Sequence, residues 1–207
     1  MNQTLRQKQK ASRHARILKV ARRRFQAEGY SNVTIEEIAR ESELSPATVY
    51  NYFNSKVGIL LALVGESDEI LLAELDAMFA AHRGSLSSAI LDFGRTLRRH
   101  AMSYLQKPTW REVLSASIQD GSGEFGRTYT ALDRVIIGKI ADKIRSMQRQ
   151  DQVSAAVNAD DLADCLFSLQ NIRFFQFIAD DAVSLEMADD ALRRDLDQLE
   201  HLFRPTD

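Results

Sequence analysis

Apolar residues recur along this chain at intervals of three and four, the spacing of helices with one buried face. Only Pro46, Pro108 and Pro205 interrupt it, and long proline-free intervals favour helices. The first helix is expected from about Arg13 to Glu28, with Ile17, Leu18, Ala21 and Phe25 inward and Gly29 ending it. Thr34 with Glu37 forms a capping box for a second helix that buries Ile35, Ile38 and Ala39. Ser42-Glu43-Leu44 is a turn. Ser45 then caps a third helix with Pro46 at its first position, and Val49 and Phe53 share its inner face. A fourth helix is expected over Lys56–Ala81, a fifth over Ser85–Gln106, a sixth over Trp110–Gln119 behind Thr109 and a seventh over Glu124–Gln148. Between the last two, Asp120–Gly123 reads as a loop. Asn158 caps an eighth, Ala159–Ala179, and Ser184 a ninth, Leu185–Phe203. Gly58 and Gly65, in the first turns of the fourth helix, fit either a hinge or close packing. The expected fold is all-α, with about nine helices.

The last two helices differ in kind. The ninth has one narrow stripe, Leu185, Ala188, Leu192, Leu196, Leu199 and Phe203, opposite Asp, Glu and Arg. The eighth is apolar around most of its circumference, through Leu162, Leu166, Phe167, Leu169, Ile172, Phe174, Phe177 and Ile178. Such a helix is buried on two sides. One side serves its own core and the other needs a partner.

The second and third helices with their tight turn read as a helix-turn-helix. Pro46, Ala47, Thr48, Tyr50, Asn51 and Tyr52 are left facing outward on the third helix. This short, almost uncharged set suits a surface that enters a DNA major groove. Residues 1–56 hold 11 Lys/Arg against 5 Asp/Glu, a net of +6, while residues 57–207 hold 16 against 24, a net of −8. A basic head on an acidic body fits a DNA binder. Residues 1–12 read as a mobile arm or an extension of the first helix, either docking on DNA or without a specific role.

Residues 13–60 resemble the DNA-binding domain of the TetR family of bacterial transcriptional regulators. The residues that carry the resemblance are Ile17, Ala21, Phe25, Gly29, Thr34, Ile38, Ala39, Leu44, Ser45, Thr48, Val49, Tyr50, Tyr52, Phe53, Ser55, Lys56 and Leu60. Two departures stand out. Ser42-Glu43 replaces the usual Ala-Gly of the turn, so Glu43 either takes a positive φ or sits in a different turn. The acidic residue usual after the Lys is absent, since Val57-Gly58 follows Lys56.

The resemblance implies a DNA-binding domain over residues 1–56 and an effector-binding and dimerisation domain over 57–207. It also implies a homodimeric, ligand-responsive regulator, a repressor, that holds a palindromic operator of double-stranded DNA. Thr34 and Lys56 are expected on phosphates and the outward set of the third helix on the DNA, with Tyr50 and Lys56 the surest backbone contacts. Leu162, Leu166, Leu169 and Phe177 of the eighth helix and Leu192, Leu196 and Leu199 of the ninth are expected to form the dimer surface. A ligand-independent architectural or cell-division DNA-binding protein of the same fold is the alternative.

For a small-molecule effector the candidate residues are Phe93, His100, Tyr104, Trp110, Gln119, Tyr129, Gln170, Asn171, Arg173 and Phe174. They imply a hydrophobic or aromatic molecule, because no cluster of charges suggests an ionic one. Arg173 interrupts the apolar eighth helix and requires a partner, either a carboxylate or an anionic ligand. His14, His82, His100 and His201 lack metal-ligand spacing. With no phosphate loop or nucleophile elbow, neither an enzyme nor a cofactor is expected. The one cysteine, Cys165, forms no internal disulfide and is expected in the core. No apolar run approaches the ~20 residues of a membrane span, and a cytoplasmic setting is expected.

Overall fold

The computed structural model describes residues 5–121 and 123–203. Ser122 of the expected loop and the first four residues of the expected arm lie outside them. Among the described residues there are nine α-helices and no strands. They are α1 (Leu5–Glu28), α2 (Ile35–Glu41), α3 (Pro46–Phe53), α4 (Lys56–Ala81), α5 (Leu86–Tyr104), α6 (Lys107–Asp120), α7 (Glu124–Gln148), α8 (Ala159–Ala179) and α9 (Leu185–Leu199). No helix among them is long and apolar enough to cross a membrane.

Of the alternatives for residues 1–12, the described residues take the helical extension, and two other boundaries differ from the sequence reading. Residues 5–12 continue α1 as helix, because Leu5 to Ala11 are good helix formers with no glycine or proline among them. α6 begins at Lys107, with Gln106 as its N-cap and Pro108 in the first turn, where a missing N–H costs nothing. Thr109 is buried inside that helix. α9 ends at Leu199 and tightens into a 3-10 turn over Glu200–Leu202, which delivers Phe203 to the core.

The chain forms two compact units. The first is Met1–Ser67 with Tyr104–Gly126, the second Asp68–Ser103 with Arg127–Asp207. The division thus falls inside α4 rather than at its start, and a segment remote in sequence joins the head. Gln26 Nε2 donates to the Tyr104 carbonyl at 2.9 Å, and the Tyr104 hydroxyl donates to Glu66 at 2.7 Å.

The core of the first unit includes Ile17, Leu18, Ala21, Phe25, Val33, Ile38, Ala39, Val49, Phe53, Ile59, Leu60 and Leu63. Gly58 is required there. A Cβ at that position would lie 1.9 Å from the Phe53 carbonyl oxygen, so close packing accounts for this glycine. At Gly65 an added Cβ meets nothing within 4 Å.

The core of the second unit gathers Leu71, Leu75, Phe79, Ile90, Phe93, Ile136, Ile140, Ile144, Met147, Leu166, Phe167, Leu192 and Leu196. Leu166, Phe177, Leu192 and Leu196, expected at a dimer surface, are therefore buried in the chain's own fold. Leu162, Leu169 and Leu199 are half-buried against the same core. Their spacing marks the inner stripe of each helix, which its own unit claims first. The outer side of α8 instead carries Ile172, 49% exposed, and Cys165, which is exposed rather than in the core.

Candidate functional site

The geometry of the head is set by caps. The Thr34 hydroxyl accepts from Glu37 N at 3.3 Å, and a Glu37 carboxylate oxygen accepts from Thr34 N at 2.9 Å, closing the capping box. That backbone bond, and the Thr34 hydroxyl donating to the same carboxylate oxygen at 2.9 Å, hold the Glu37 carboxyl below its usual range. The Ser45 hydroxyl accepts from Thr48 N at 3.2 Å and lies 2.8 Å from the Thr48 hydroxyl. The inter-helix turn is made by Glu43 at φ 54, so this residue adopts the left-handed conformation where glycine is usual. Arg16 meets its exposed carboxylate at 3.3 Å.

On α3, Val49 and Phe53 turn inward, and Pro46, Ala47, Tyr50 and Asn51 are exposed. Thr48 and Tyr52 are half-buried. Six of the eight residues expected to meet DNA therefore share one short helix, with an open outer face free of charge.

Thr34 and Lys56 are placed differently. Thr34 is exposed, but its hydroxyl is engaged in the cap. Lys56 Nζ donates to the carbonyls of Tyr30 and Val33 at 2.8 and 2.9 Å and sits 4.2 Å from the Tyr30 ring centroid. A lysine at a helix N-terminus faces an unfavourable dipole, and those two carbonyls offset it. Two of its three donors thus serve the fold. Burial lowers the Lys56 ammonium from its ordinary range and, with Glu112 adding to it, pushes the Tyr30 phenol up to about 12. Only the tertiary structure brings the turn at Tyr30–Asn32 to the start of α4.

The ten effector candidates are divided between the two units. Tyr104, Trp110 and Gln119 belong to the first unit, the other seven to the second. Tyr104 and Trp110 are buried, and the Tyr104 ring carries Arg22 at 4.8 Å from its centroid. Gln119 is exposed and donates to Ser115 at 2.9 Å. Phe93 stacks on Phe79 in the second core, with ring centroids 6.3 Å apart, and Phe174 is buried. His100 Nδ1 lies 3.0 Å from Glu74. Asn171 is half-buried. Arg173 makes a two-point pair with Asp195 of α9 at 2.5 and 2.6 Å and donates to Gln176 at 2.9 Å, so its partner is a carboxylate of its own chain.

Two charged clusters of the second unit escaped the sequence reading. Arg98 is completely buried and donates to Asp189 at 2.6 and 3.1 Å and to the Gln170 side-chain oxygen at 3.0 Å. Burial pulls its guanidinium below the ordinary range, against the opposing pull of Asp189. The Gln170 amide nitrogen is left buried without a partner among the described residues. The available signal was the α5 stripe Leu91, Gly94, Arg98 and Ala101, in which Arg98 occupies a core position.

The second cluster joins α4 and α7. Lys139 pairs with Asp76 at 2.5 Å, and Lys143 donates to the carbonyl of Phe79 at 3.1 Å, so the two helices run side by side in parallel. Two turns back, that register sets Asp68 of α4 against Tyr129 and Asp133 of α7. Both carboxyls are half-buried, and neither is ion-paired among the described residues. Burial, reinforced by Asp133, raises Asp68 to about 7, and burial raises Asp133 to about 6. The Tyr129 phenol is raised by burial and by both acids. Among the described residues no group of three or more His, Cys, Asp or Glu is arranged to hold a metal ion.

An all-helical chain with a capped helix-turn-helix near its start, and an uncharged outer face on the second of those helices, is a helix-turn-helix protein. Residues 17–63 match the model of the bacterial regulatory proteins of the tetR family, so this segment has the DNA-binding domain of that family. The HTH-type transcriptional regulator TcmR of Streptomyces glaucescens is 33% identical over 72 residues, a match spanning 35% of this chain and 32% of that protein. Among solved structures, a TetR-family regulator of Pectobacterium atrosepticum is similar with a TM-score of 0.71 at 18% identity, over 97% of this chain and 95% of that one. A transcriptional regulator of Saccharomonospora viridis, solved in complex with choline, gives 0.67 at 24% identity, over 93% and 98%. These likenesses establish the fold.

Proposed function

We propose that this protein is a homodimeric transcriptional regulator, a repressor, that reads a palindromic DNA operator and releases it to a small molecule. The observation that carries the reading is the outer face of α3. Pro46, Ala47, Tyr50 and Asn51 stand exposed on a helix whose other side is locked into the head by Val49 and Phe53. An amide and a phenol on such a face have the chemistry to meet base edges and phosphates. The family match over residues 17–63 and the likeness to a named transcriptional regulator support it. A two-fold dimer would set two such helices about 34–36 Å apart, one turn of DNA. The outer side of α8, with Ile172 and Cys165 exposed and Phe175 half-buried, is the surface we propose for that dimer.

The effector reading takes its support from α4 and α7. Asp68 and Asp133, half-buried, without an ion pair among the described residues and close enough to the Tyr129 phenol to raise it, favour a cation over a neutral hydrophobe. The choline bound by the similar regulator of Saccharomonospora viridis is a molecule of that kind.

The test is protection of DNA around the protein's own gene, followed by a screen of organic cations and neutral aromatics by thermal shift and DNA release. Protection of a discrete palindrome and its release by a cation are expected. Binding at many sites with no releasing ligand would favour an architectural DNA-binding protein. Release by neutral aromatics alone would overturn the cationic effector and leave the repressor standing.

A further inference from the structure

The first 27 residues of the chain contain nine Lys/Arg and no Asp or Glu. The fold sorts these cations into two kinds. Arg16 is paired with Glu43, Arg23 with Glu41, and Arg24 with Glu28, Glu37 and Glu41. Arg22 lies over the Tyr104 ring, and Arg6, Lys8, Lys10, Arg13 and Lys19 are exposed and make no ion pair among the described residues. Of these, Arg6, Lys10 and Arg13, at spacings of four and three, share one face of α1. That face does not point at random. The His14 ring packs 4.8 Å from Phe53 and 6.2 Å from Tyr52, which pins α1 beside the end of α3. Arg6, Gln9, Lys10 and Arg13 then form one wall of a groove of about 340 Å³ whose other wall is Asn51 and Tyr52. No acidic side chain lines it.

We propose that this groove is a phosphate clamp: the N-terminal extension of α1 grips the DNA backbone beside the major groove that α3 enters. The proposal rests on the DNA-binding reading and adds a second, sequence-independent contact to it. Charge complementarity names the occupant. Three unneutralised cations in a row, continuous with the exposed face of α3, match the phosphates of the duplex that face would meet. From Arg6 to Arg13 the helix rises about 10 Å, or about three base-pair steps. Phosphate contacts fix register and add affinity without reading bases.

The test replaces Arg6, Lys10 and Arg13 together by Gln, a helix-forming residue that removes only charge. Affinity is measured by fluorescence anisotropy, over a series of salt concentrations, for the selected operator and for a random duplex. The expected result is a salt slope shallower by about 0.9 per cation removed, so about 2.7 per protomer, on both duplexes and with base preference unchanged. A variant with Lys at all three positions should keep the wild-type slope. Helicity by circular dichroism, equal in all three proteins, excludes a folding defect. An unchanged slope in the Gln variant, while Asn51→Ala loses operator preference, would overturn the clamp and leave the DNA reading intact. Loss of affinity for the operator but not for the random duplex would overturn it too, as would a Lys variant that behaves like the Gln one. If the wild-type protein protects no DNA, both fall.

Discussion

The two compact units use charge in opposite ways. In the first, capping residues and ion pairs lie at helix ends and edges. There Thr34 answers Glu37 three residues on, and Arg16 reaches the Glu43 that makes the turn. In the second, charge is taken inside. Arg98 is completely buried on partners 72 and 91 residues away, and Asp68 and Asp133 lie half-buried within electrostatic reach of each other, with no ion pair among the described residues. Local charge sets the outline of a helix and contributes little to its energy. Buried charge makes large demands on its neighbours, because a charge removed from water must be matched.

The largest expected effect is at the buried arginine. Arg98→Ala leaves Asp189 to Arg95 alone and strips the buried Gln170 oxygen of its donor, and breaking a buried pair costs about 3–5 kcal/mol. Urea unfolding should show this loss, and the double variant Arg98→Met, Asp189→Leu should recover most of it. A single-variant loss within 1 kcal/mol, on the order of an exposed pair, would mean that burial does not set its worth.

The glycines of α4 give the next effect. Gly58→Ala drives a methyl group against the Phe53 carbonyl and should cost about 1–3 kcal/mol. Gly65→Ala meets open space and should stabilise by about 0.5–1 kcal/mol. Thermal unfolding of the pair checks both signs. Equal effects would show that helix propensity, not contact, decides.

At the cap, Thr34→Ala should cost about 1 kcal/mol, read as a lowered urea midpoint with the slope unchanged. A loss as large as that of Arg98→Ala would erase the contrast between the units.

The acids of the second unit sharpen the comparison through pH. Their folded values, about 7 and about 6, lie above the ordinary 3.8, so the folded state holds protons that the unfolded chain releases. Their contribution is fully present below pH 3.8 and is lost as pH rises through 6 and 7. Relative to Asp68→Asn, the wild-type melting temperature should therefore fall across that window. Parallel pH profiles would show that folding does not raise the Asp68 carboxyl. A bound cation should reverse the trend by favouring the charged pair.

This contrast also explains what the sequence could disclose. The caps Thr34, Ser45, Asn158 and Ser184 speak to residues two or three positions away, and the starts of α2, α3, α8 and α9 follow from them. So does the outward face of α3. The partners of Lys56 and Arg98 lie 23 to 91 residues distant, and no period reveals them. Arg173 was legible as an arginine in need of a carboxylate, but Asp195 as that carboxylate was not. The inner stripes of α8 and α9 were legible as apolar. Which surface they cover depended on α4, α5 and α7 claiming them for the second core.

That the exposed face of α3 reads bases is tested by the affinity of wild type and Asn51→Ala, at one salt concentration, for the protected operator, for duplexes with single base changes and for a random duplex. Asn51→Ala should lose about 1–3 kcal/mol on the operator, no longer discriminate at one base position and bind the random duplex as wild type does. Unchanged affinity and unchanged base preference would contradict it.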